Sequence, residues 1–344
     1  MSQRQNLPLE EATRPFFLGV DIGGTNIKIG LVDNQGRTLA RSNVPTDVPA
    51  GPDAAVARIA SGCQQLLASV GLPRTNIARL GLGSPGTMDI PSGLLLNPPN
   101  LPGWENYPIR DRVAASTGYS VTFANDANAA AFGESWVGSG RNFPSIVFLT
   151  LGTGVGGGII IGDLSIDGEN SHGSECGHMI IDSRDDARIC SCGGSGHLEA
   201  YASATALVKR AEEALAAGRK STLARLKTED AAITPLLIAK DAEAGDPLAL
   251  ELIMETARYL GIGITTLAHV IDPGGIILGG AMNFGGHDTA LGREFLERIR
   301  QEFRKRAFPV LAKRTTIDFA ILGGDAGYIG AAGVARAAYQ RENL

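Results

Sequence analysis

Two cysteines and two histidines are spaced in the sequence as ligands of a metal ion often are. Cys190 and Cys192 are two residues apart, His197 follows five residues later, and His178 lies twelve residues before Cys190. Thiolates and imidazoles bind tetrahedral zinc, and four protein ligands leave no open position for a catalytic water. The segment therefore predicts a structural zinc site. Buried, unpaired cysteines are the alternative interpretation.

Two glutamates accompany these ligands. Glu175 precedes His178 by three residues, and Glu199 follows His197 by two. A loop fixed by zinc would also fix these carboxylates beside His178, an arrangement that suits a polyhydroxylated ligand such as a sugar. Glutamates that simply face solvent are the alternative.

Two glycine turns carry a threonine at the tip. Gly23-Gly24-Thr25 and Gly152-Thr153-Gly154 each lie between two apolar runs, which predicts a strand, a turn and a strand. The backbone N–H groups and hydroxyl of such a turn can bind phosphate, although glycine also fills ordinary hairpin turns. Asp21 precedes the first turn, where its carboxylate would repel phosphate unless a cation such as Mg²⁺ lay between them.

A further carboxylate, Asp126, lies where an apolar strand at 121–124 meets a helix that starts at residue 127. It could accept the proton of an attacking hydroxyl, as phosphoryl transfer requires. It could equally be the N-cap of the helix. Asn125 and Asn128 add polar groups to this otherwise apolar stretch, and the residues alone leave both interpretations open.

Several classes of protein are disfavoured. Gly152-x-Gly154-x-x-Gly157 matches the dinucleotide fingerprint, but a strand rather than a helix follows it, which argues against NAD. The P-loop motif is absent from the sequence. The net charge of −5 argues against nucleic-acid binding, and no apolar run approaches the ~18 residues of a membrane span. With a polar segment at 1–15, we expect a soluble, cytoplasmic protein.

The elements that must position these groups alternate between strands and helices. Of the 344 residues, 45 are glycine, against roughly 24 at average usage, and they cluster between apolar runs. Hairpins are predicted at 16–32 and 146–163, so that each half opens on a similar unit. Helices are predicted at 54–70, 203–217, 247–270 and 326–341, and short buried strands at 275–281 and 317–322. The pattern predicts two related α/β domains.

Taken in order, the motifs resemble those of the ROK family of sugar kinases, repressors and related proteins, within the actin-like ATPase superfamily. The resemblance extends over about residues 16–338. The motifs are Asp21-Ile-Gly-Gly-Thr25, Gly83-Ser-Pro-Gly-Thr-Met-Asp89, Asn100-Leu-Pro-Gly-Trp104, Asn125-Asp126, Leu151-Gly-Thr-Gly-Val-Gly-Gly-Gly158, Glu175-x-Gly-His178 and the Cys190–Glu199 segment.

The resemblance implies a role for each candidate residue. Asp126 would be the base that deprotonates the primary hydroxyl of a sugar. The other sugar contacts would come from Asn100, Asn125, Glu175, His178 and Glu199. ATP and its Mg²⁺ would be bound by Asp21, Gly23, Gly24, Thr25, Asn26, Lys28, Thr153, Gly154, Gly279 and Gly280, with the region 323–327 toward the nucleoside. Zinc would be held by His178, Cys190, Cys192 and His197.

One departure concerns the zinc segment. The family pattern has three cysteines in C-x-C-G-x-x-G-C-x-E, and His197 stands in place of the third. The imidazole nitrogen lies further from the backbone than a cysteine sulfur does, so the loop must adjust to bring it to the ion.

The resemblance also implies a two-lobed actin-like ATPase (ribonuclease H-like) α/β fold with a cleft between the lobes. We expect a disordered extension at 1–15, an N-terminal lobe at 16–125 and a C-terminal lobe with the zinc loop at 126–325. A final helix at 326–344 would pack back on the N-terminal lobe. Homodimers or homotetramers are expected from the resemblance.

The expected reaction is ATP-dependent phosphorylation of the 6-hydroxyl of a hexose in carbohydrate metabolism, with glucose favoured. N-acetylmannosamine, N-acetylglucosamine and fructose are alternative substrates, and polyphosphate is an alternative donor. A non-catalytic sugar sensor is the alternative from another class. The family's DNA-binding repressors carry an N-terminal helix-turn-helix domain, for which the polar segment at 1–15 is too short.

Overall fold

The computed structural model describes residues 6–225 and 232–343, which form a mixed α/β structure. Contacts divide the chain into two compact units. Unit 1 contains the described residues up to Asn142, the segment Gly158–Ser174 and the residues from Leu322 onward. Unit 2 contains Phe143–Gly157 and Glu175–Ile321. Within the described ranges, no helix is both long and apolar enough to cross a membrane.

A five-stranded sheet forms the centre of unit 1. Its strands are β1 (Phe16–Ile22), β2 (Asn26–Val32), β3 (Thr38–Pro45), β4 (Ile77–Ser84) and β7 (Val121–Asn125). Two further strands, β5 (Thr87–Asp89) and β6 (Leu94–Asn97), form a separate hairpin. The order is β3-β2-β1-β4-β7. The first three strands pair antiparallel, whereas β1, β4 and β7 run parallel. The carboxyl ends of those three strands therefore meet at one edge of the sheet.

A second five-stranded sheet has the order β10-β9-β8-β11-β12. Its strands are β8 (Ser145–Leu151), β9 (Val155–Ile161), β10 (Leu164–Ser165), β11 (Gly275–Gly279) and β12 (Thr316–Phe319). Strand β11 pairs parallel with both β8 and β12. The division between the units falls within β9, after Gly157.

The helices predicted at 54–70, 203–217, 247–270 and 326–341 begin and end within two residues of those positions, and the described residues form further helices that were not predicted. They are α1 (Pro52–Ser69), α2 (Ile109–Thr117), α3 (Asp126–Val137), α4 (Glu199–Ala202), α5 (Ala204–Ala216), α6 (Pro235–Glu243), α7 (Pro247–Ile271), α8 (Ala290–Arg306), α9 (Pro309–Arg314) and α10 (Ala326–Glu342). Asp246 caps α7 by accepting a hydrogen bond from the Ala249 N–H at 2.8 Å, with Pro247 in the first turn. This is the capping that an aspartate followed by proline predicts.

The sheet of unit 1 is covered on both faces, as the alternation of side chains along β1 requires. Leu18 and Val20 pack in the cluster that includes α1 and α2 residues, whereas Phe17 packs with Tyr328 and Ile329 of α10. On the α10 side the strands carry Gly19 and Gly81. A Cβ atom at either position would overlap the backbone of α10, at Tyr328 and Ala331 respectively. These two glycines allow the helix to lie directly on the sheet.

The N-terminal segment differs from the expected disordered extension over its described part. The Leu7 N–H donates to the Thr38 carbonyl at 2.8 Å, and the Thr13 N–H donates to the buried Asp33 carboxylate at 3.1 Å. Leu7 and Leu9 pack against the core of unit 1. Residues 1–5 lie outside the described residues.

The two units also differ from the expected lobes. The second lobe was expected to begin at residue 126, but the whole of α3 belongs to unit 1. Helix α3 packs closely against α10, where Gly133 and Gly330 allow the two backbones to approach. Helix α10 itself lies in unit 1, on β1 and β4. Strand β12 ends at Phe319, three residues before the predicted strand end.

Candidate active site and candidate metal centre

Two carboxylates lie at the carboxyl ends of the parallel strands of unit 1. Asp21 is the penultimate residue of β1, and Asp126 follows β7 directly. Strand β4 lies between them, with Gly83 paired to Asp21 in register. A Cβ at Gly83 would lie 3.8 Å from the Cα of Asp126. The sheet therefore brings together two residues that are 105 positions apart in the sequence.

The electrostatics of this edge show that the two carboxylates interact. Burial and, to a smaller extent, the charge of Asp126 raise the pKa of Asp21 from 3.8 to about 6, against the lowering effect of Lys28. The Asp21 carboxylate lies directly against Gly327 at the start of α10, where any side chain would overlap it. A half-buried carboxylate with a second carboxylate nearby is a site that a divalent cation would neutralise.

The start of α3 tests one of the two interpretations of Asp126, that it caps the helix. The N-cap is Asn125, whose Oδ1 accepts hydrogen bonds from the N–H groups of Ala127 at 2.9 Å and Asn128 at 3.3 Å. The alternative prediction that Asp126 is the N-cap is therefore wrong, because Asn125 ends β7 in the extended conformation that an N-cap adopts. Asp126 is the first helical residue, and its Oδ1 accepts from the Ala127 N–H at 2.8 Å.

The first glycine turn is exposed and lies beside a predicted sugar contact. Gly24, Thr25 and Asn26 are exposed. A Cβ at Gly24 would lie 3.3 Å from the backbone oxygen of Asn100. Unit 1 thus places together the turn that was predicted to bind phosphate and the asparagine that was predicted to bind sugar.

Thr46, which no sequence motif singles out, holds this turn. Its hydroxyl donates to the Gly23 carbonyl at 2.6 Å, and its N–H donates to the Thr25 carbonyl at 2.9 Å. Thr46 is itself fully buried. Only the pairing of β2 with β3 brings it to the turn, so the local sequence carries no signal of its role.

Lys28 contacts the turn that precedes α10. Its Nζ donates to the Gly324 carbonyl at 2.6 Å, and Arg41 forms an ion pair with the neighbouring Asp325 at 2.8 Å. The region 323–327, predicted to lie toward the nucleoside, is therefore tied to β2 and β3 by two cations. Lys28 lies opposite Asp21 in the β1–β2 register, which explains its electrostatic effect on that carboxylate.

In unit 2, Glu199 joins the second glycine turn to the cysteine loop. Its Oε2 accepts a hydrogen bond from the Val155 N–H at 2.9 Å, and its Oε1 accepts from the Ser191 hydroxyl at 2.6 Å. A side chain at Gly154 would overlap the Glu199 carboxylate. Thr153 is exposed at the tip of this turn, and its carbonyl accepts from the Thr205 hydroxyl at 2.8 Å. Both oxygens of Glu199 are thus engaged within unit 2.

The four predicted zinc ligands come together. One ligand atom from each of His178, Cys190, Cys192 and His197 lies within 4.8 Å of the others. The Cys190 Sγ is 3.6 Å from the His178 Nδ1, and the Cys192 Sγ is 3.3 Å from the His197 Nδ1. A sulfur and a nitrogen bound to one tetrahedral zinc ion are about 3.6 Å apart. The donor set and its spacing therefore fit zinc.

Short strand-like pairings position the His197 ligand. Ile180 pairs with His197, and Ser195 pairs with Ile189. A Cβ at Gly194 would lie 2.5 Å from the Cε1 of His197. The absence of a side chain there gives the imidazole the room that its greater length requires.

The remaining predicted site residues of unit 2 lie in two places. Glu175 is exposed, and its carboxylate is 3.8 Å from the Nε2 of His178. Gly279 ends β11, and Gly280 follows it with a φ of +88°. A side chain at Gly280 would overlap the backbone of Leu151, so close approach to β8 requires glycine there irrespective of any nucleotide.

Comparison with known proteins identifies the family of the chain. The ROK family model matches residues 17–338. The glucokinase of Streptomyces coelicolor is 36% identical over 324 residues, covering 93% of this chain and 97% of that protein. A crystal structure of a ROK family glucokinase from Streptomyces griseus, in complex with glucose and AMPPNP, is 35% identical with a TM-score of 0.73, covering 93% and 99% of the two chains. The xylose repressor of Caldicellulosiruptor bescii is 34% identical over 232 residues, covering 67% of this chain and 56% of the repressor.

The fold is that of the actin-like ATPases, in two α/β units. The chain belongs to the ROK family. The similarity to glucokinases over nearly the full length supports a sugar kinase that uses ATP.

Proposed function

We propose that this protein transfers the γ-phosphoryl group of ATP to the 6-hydroxyl of a hexose, with glucose as the favoured substrate. The observation that supports this most strongly is the placement of Asp126 at the carboxyl end of β7, beside Asp21 and on the same sheet edge as the exposed turn at Gly24. The glucokinases among its relatives favour glucose.

In this proposal Asp126 is the general base. Its carboxylate accepts the proton of the sugar hydroxyl as that oxygen attacks the γ-phosphorus, the bond to the β-phosphate oxygen breaks, and ADP leaves. Capping by Asn125 leaves Asp126 in the first turn of α3, where the backbone N–H groups stabilise its ionised form. A general base must be ionised to act, so this position suits its role.

Asp21 would interact with Mg²⁺, through water or directly, while the turn at Gly23, Gly24 and Thr25 binds phosphate. When bound, Mg²⁺ neutralises part of the negative charge of the phosphates. The raised pKa of Asp21 supports this assignment, because a partly desolvated carboxylate gains most from a cation. Thr153 and Gly154 would form a second phosphate-binding turn.

The residues that we propose for sugar recognition are Asn100, Asn125, Glu175, His178 and Glu199. His178 also belongs to the proposed zinc set, so the metal would fix one sugar contact directly. Zinc there would be structural, since all four of its positions are filled by protein ligands. The Glu199 hydrogen bonds to Val155 and Ser191 would extend that rigidity to the second glycine turn.

A coupled ADP-release assay tests the proposal. Glucose, N-acetylglucosamine, N-acetylmannosamine and fructose are each tried with ATP and with polyphosphate, and we expect the highest kcat/KM with glucose and ATP. Turnover of another hexose, or only with polyphosphate, would reassign the substrate or donor. No turnover with any pair would favour a sugar sensor, a reading that the similarity to the xylose repressor makes worth testing.

Replacement of the base tests the role of Asp126. Asp126→Asn should lower kcat about 10²- to 10⁴-fold with a smaller change in KM, because a positioned base contributes that much to the transition state. Asp111→Asn, at an exposed position on α2, serves as the matched control and should retain activity. A decrease of less than about tenfold for Asp126→Asn would contradict the general-base role.

A further inference from the structure

A buried amide on α3 forms a hydrogen bond that the proposed chemistry does not use. Asn128 is only 4% exposed, and its Nδ2 donates to the Oδ1 of Asp167 at 2.8 Å. Its own Oδ1 is buried and has no hydrogen-bond partner among the described residues. The reverse orientation of the amide would place the Asn128 Oδ1 against the Asp167 carboxylate oxygen, so this contact fixes which way the amide faces.

Asp167 organises the segment 166–174, which unit 1 contains. Its Oδ1 also accepts from the Ser165 hydroxyl at 2.9 Å, and its carbonyl accepts from the Gly173 N–H at 2.6 Å. The Ser174 hydroxyl donates to the Ile166 carbonyl at 2.9 Å. The segment therefore closes on itself, and its last residue, Ser174, is bonded directly to Glu175.

The same turn of α3 carries three functions. Asp126 would be the base, Asn125 caps the helix by binding the Asn128 N–H, and the Asn128 side chain binds Asp167. Burial raises the pKa of Asp167, which marks the carboxylate as partly desolvated, and its hydrogen bonds with Ser165 and Asn128 lower that pKa. A hydrogen bond to a desolvated carboxylate is stronger than one in water.

We propose that Asn128 is a positioning residue, whose hydrogen bond to Asp167 fixes the segment 166–174 against the helix that carries Asp126 and so restrains the backbone that leads into Glu175. The effect on the sugar rests on the proposed function, in which Glu175 binds a sugar hydroxyl. The link itself is a property of unit 1 and is measured without any substrate.

Interchanging the side chains of Asn128 and Asp167 tests the hydrogen bond between them. Asn128→Asp places two carboxylates against each other, and should raise the KM for glucose about tenfold while kcat changes less than about threefold. One hydrogen bond to a charged group corresponds to a factor of this size. Combining Asn128→Asp with Asp167→Asn exchanges donor and acceptor, and should return KM to within about threefold of the parent value.

Amide hydrogen exchange supplies a readout that does not depend on activity. Asn128→Asp should speed exchange across 166–174, including at the Gly173 N–H, by about tenfold, and the double variant should restore protection. Ser165→Ala is the matched control, because it removes a hydrogen bond to the same oxygen but leaves the link to α3. If Asn128→Asp does not fold, Asn128→Ser removes the donor without adding a charge, and its exchange decides the result.

The outcomes separate this inference from the proposed function. If the parent protein phosphorylates no hexose, the proposed function fails, and the exchange measurements alone decide whether the link exists. Unchanged exchange and unchanged KM in Asn128→Asp would overturn the inference. So would a double variant that melts like the parent protein but recovers neither protection nor KM.

Discussion

The Asp21 carboxylate destabilises the ligand-free fold at neutral pH, and Asp21→Asn should remove this effect. Burial and the charge of Asp126 raise the pKa of Asp21 from 3.8 to about 6. A group whose pKa is higher in the folded state contributes stability below its unfolded pKa, and this contribution is lost as the pH rises through the folded pKa. The loss therefore falls between about pH 4 and pH 6.

The size of the effect follows from the pKa difference, which corresponds to about 3 kcal/mol at neutral pH. The Asp21 side chain is partly exposed, so solvent screening reduces this to about 2 kcal/mol. Asparagine has nearly the same shape and no charge. The variant should therefore be more stable than the parent by about 2 kcal/mol at pH 7.5, and by only about a third of that at pH 4.5.

Urea denaturation without nucleotide or Mg²⁺, between pH 4.5 and pH 8, measures this difference. The control is Asp53→Asn, because Tyr107 and Arg112 hold the pKa of the exposed Asp53 below its usual range. The sign reverses for this control, which should lose stability at neutral pH. Asp21→Asn should also lose kinase activity, because removing a charge that the function needs can stabilise the fold at the expense of activity.

Two results would refute this reasoning about Asp21. The first is an Asp21→Asn variant that is no more stable than the parent at pH 7.5. The second is a gain that is the same at pH 4.5 and pH 7.5, because a gain that does not depend on pH would not come from the charge.

Three further predictions concern the metal, the sheet and the core. Metal analysis should find one zinc per chain, and a well-folded parent without zinc would contradict the assignment. The variant His197→Cys should retain zinc, whereas Cys192→Ser should lose it and melt at a lower temperature. Gly81→Ala should lower the free energy of unfolding, measured by urea denaturation, by about 3 kcal/mol, since its methyl overlaps the α10 backbone. Gly152→Ala is the control, because a Cβ there meets nothing within 4 Å. Glu134 is fully buried, and its two carboxylate oxygens accept from the Ser139 and Leu322 N–H groups, both at 2.8 Å, so Glu134→Ala should cost about 3 kcal/mol. Glu134→Gln keeps one of the two acceptor oxygens and should cost less, and equal losses would contradict this account.

The sequence predicted local features well where the signal is itself local. The hairpin at 16–32, the helix after Asp126 and the capping of α7 by Asp246 all depend on apolar periodicity and on residues within one turn. The approach of the four candidate ligands to one another was also predictable, because three of them lie within eight residues and Gly194 leaves room for the imidazole.

Contacts between distant segments were not predictable in this way. No pattern near Asp126 shows that Asn125, rather than Asp126, caps α3, because the choice depends on where β7 ends in the sheet. Thr46 and Asp167 carry no motif, and only the pairing of β3 and the path after β10 bring them to the residues they hold. The boundary expected at residue 126 likewise ignored the packing of α3 on α10.

The sequence by itself therefore determined which chemical groups the protein has and on which local elements they lie: thiols and imidazoles in one loop, threonines at glycine turns, and carboxylates at the ends of strands. The tertiary structure decided which of them interact. Insertion of β4 between β1 and β7 brings the Asp21 and Asp126 carboxylates to one sheet edge, where the charge of Asp126 raises the pKa of Asp21. Electrostatic coupling depends on distance in space and on burial, and neither is encoded in the spacing of residues along the chain.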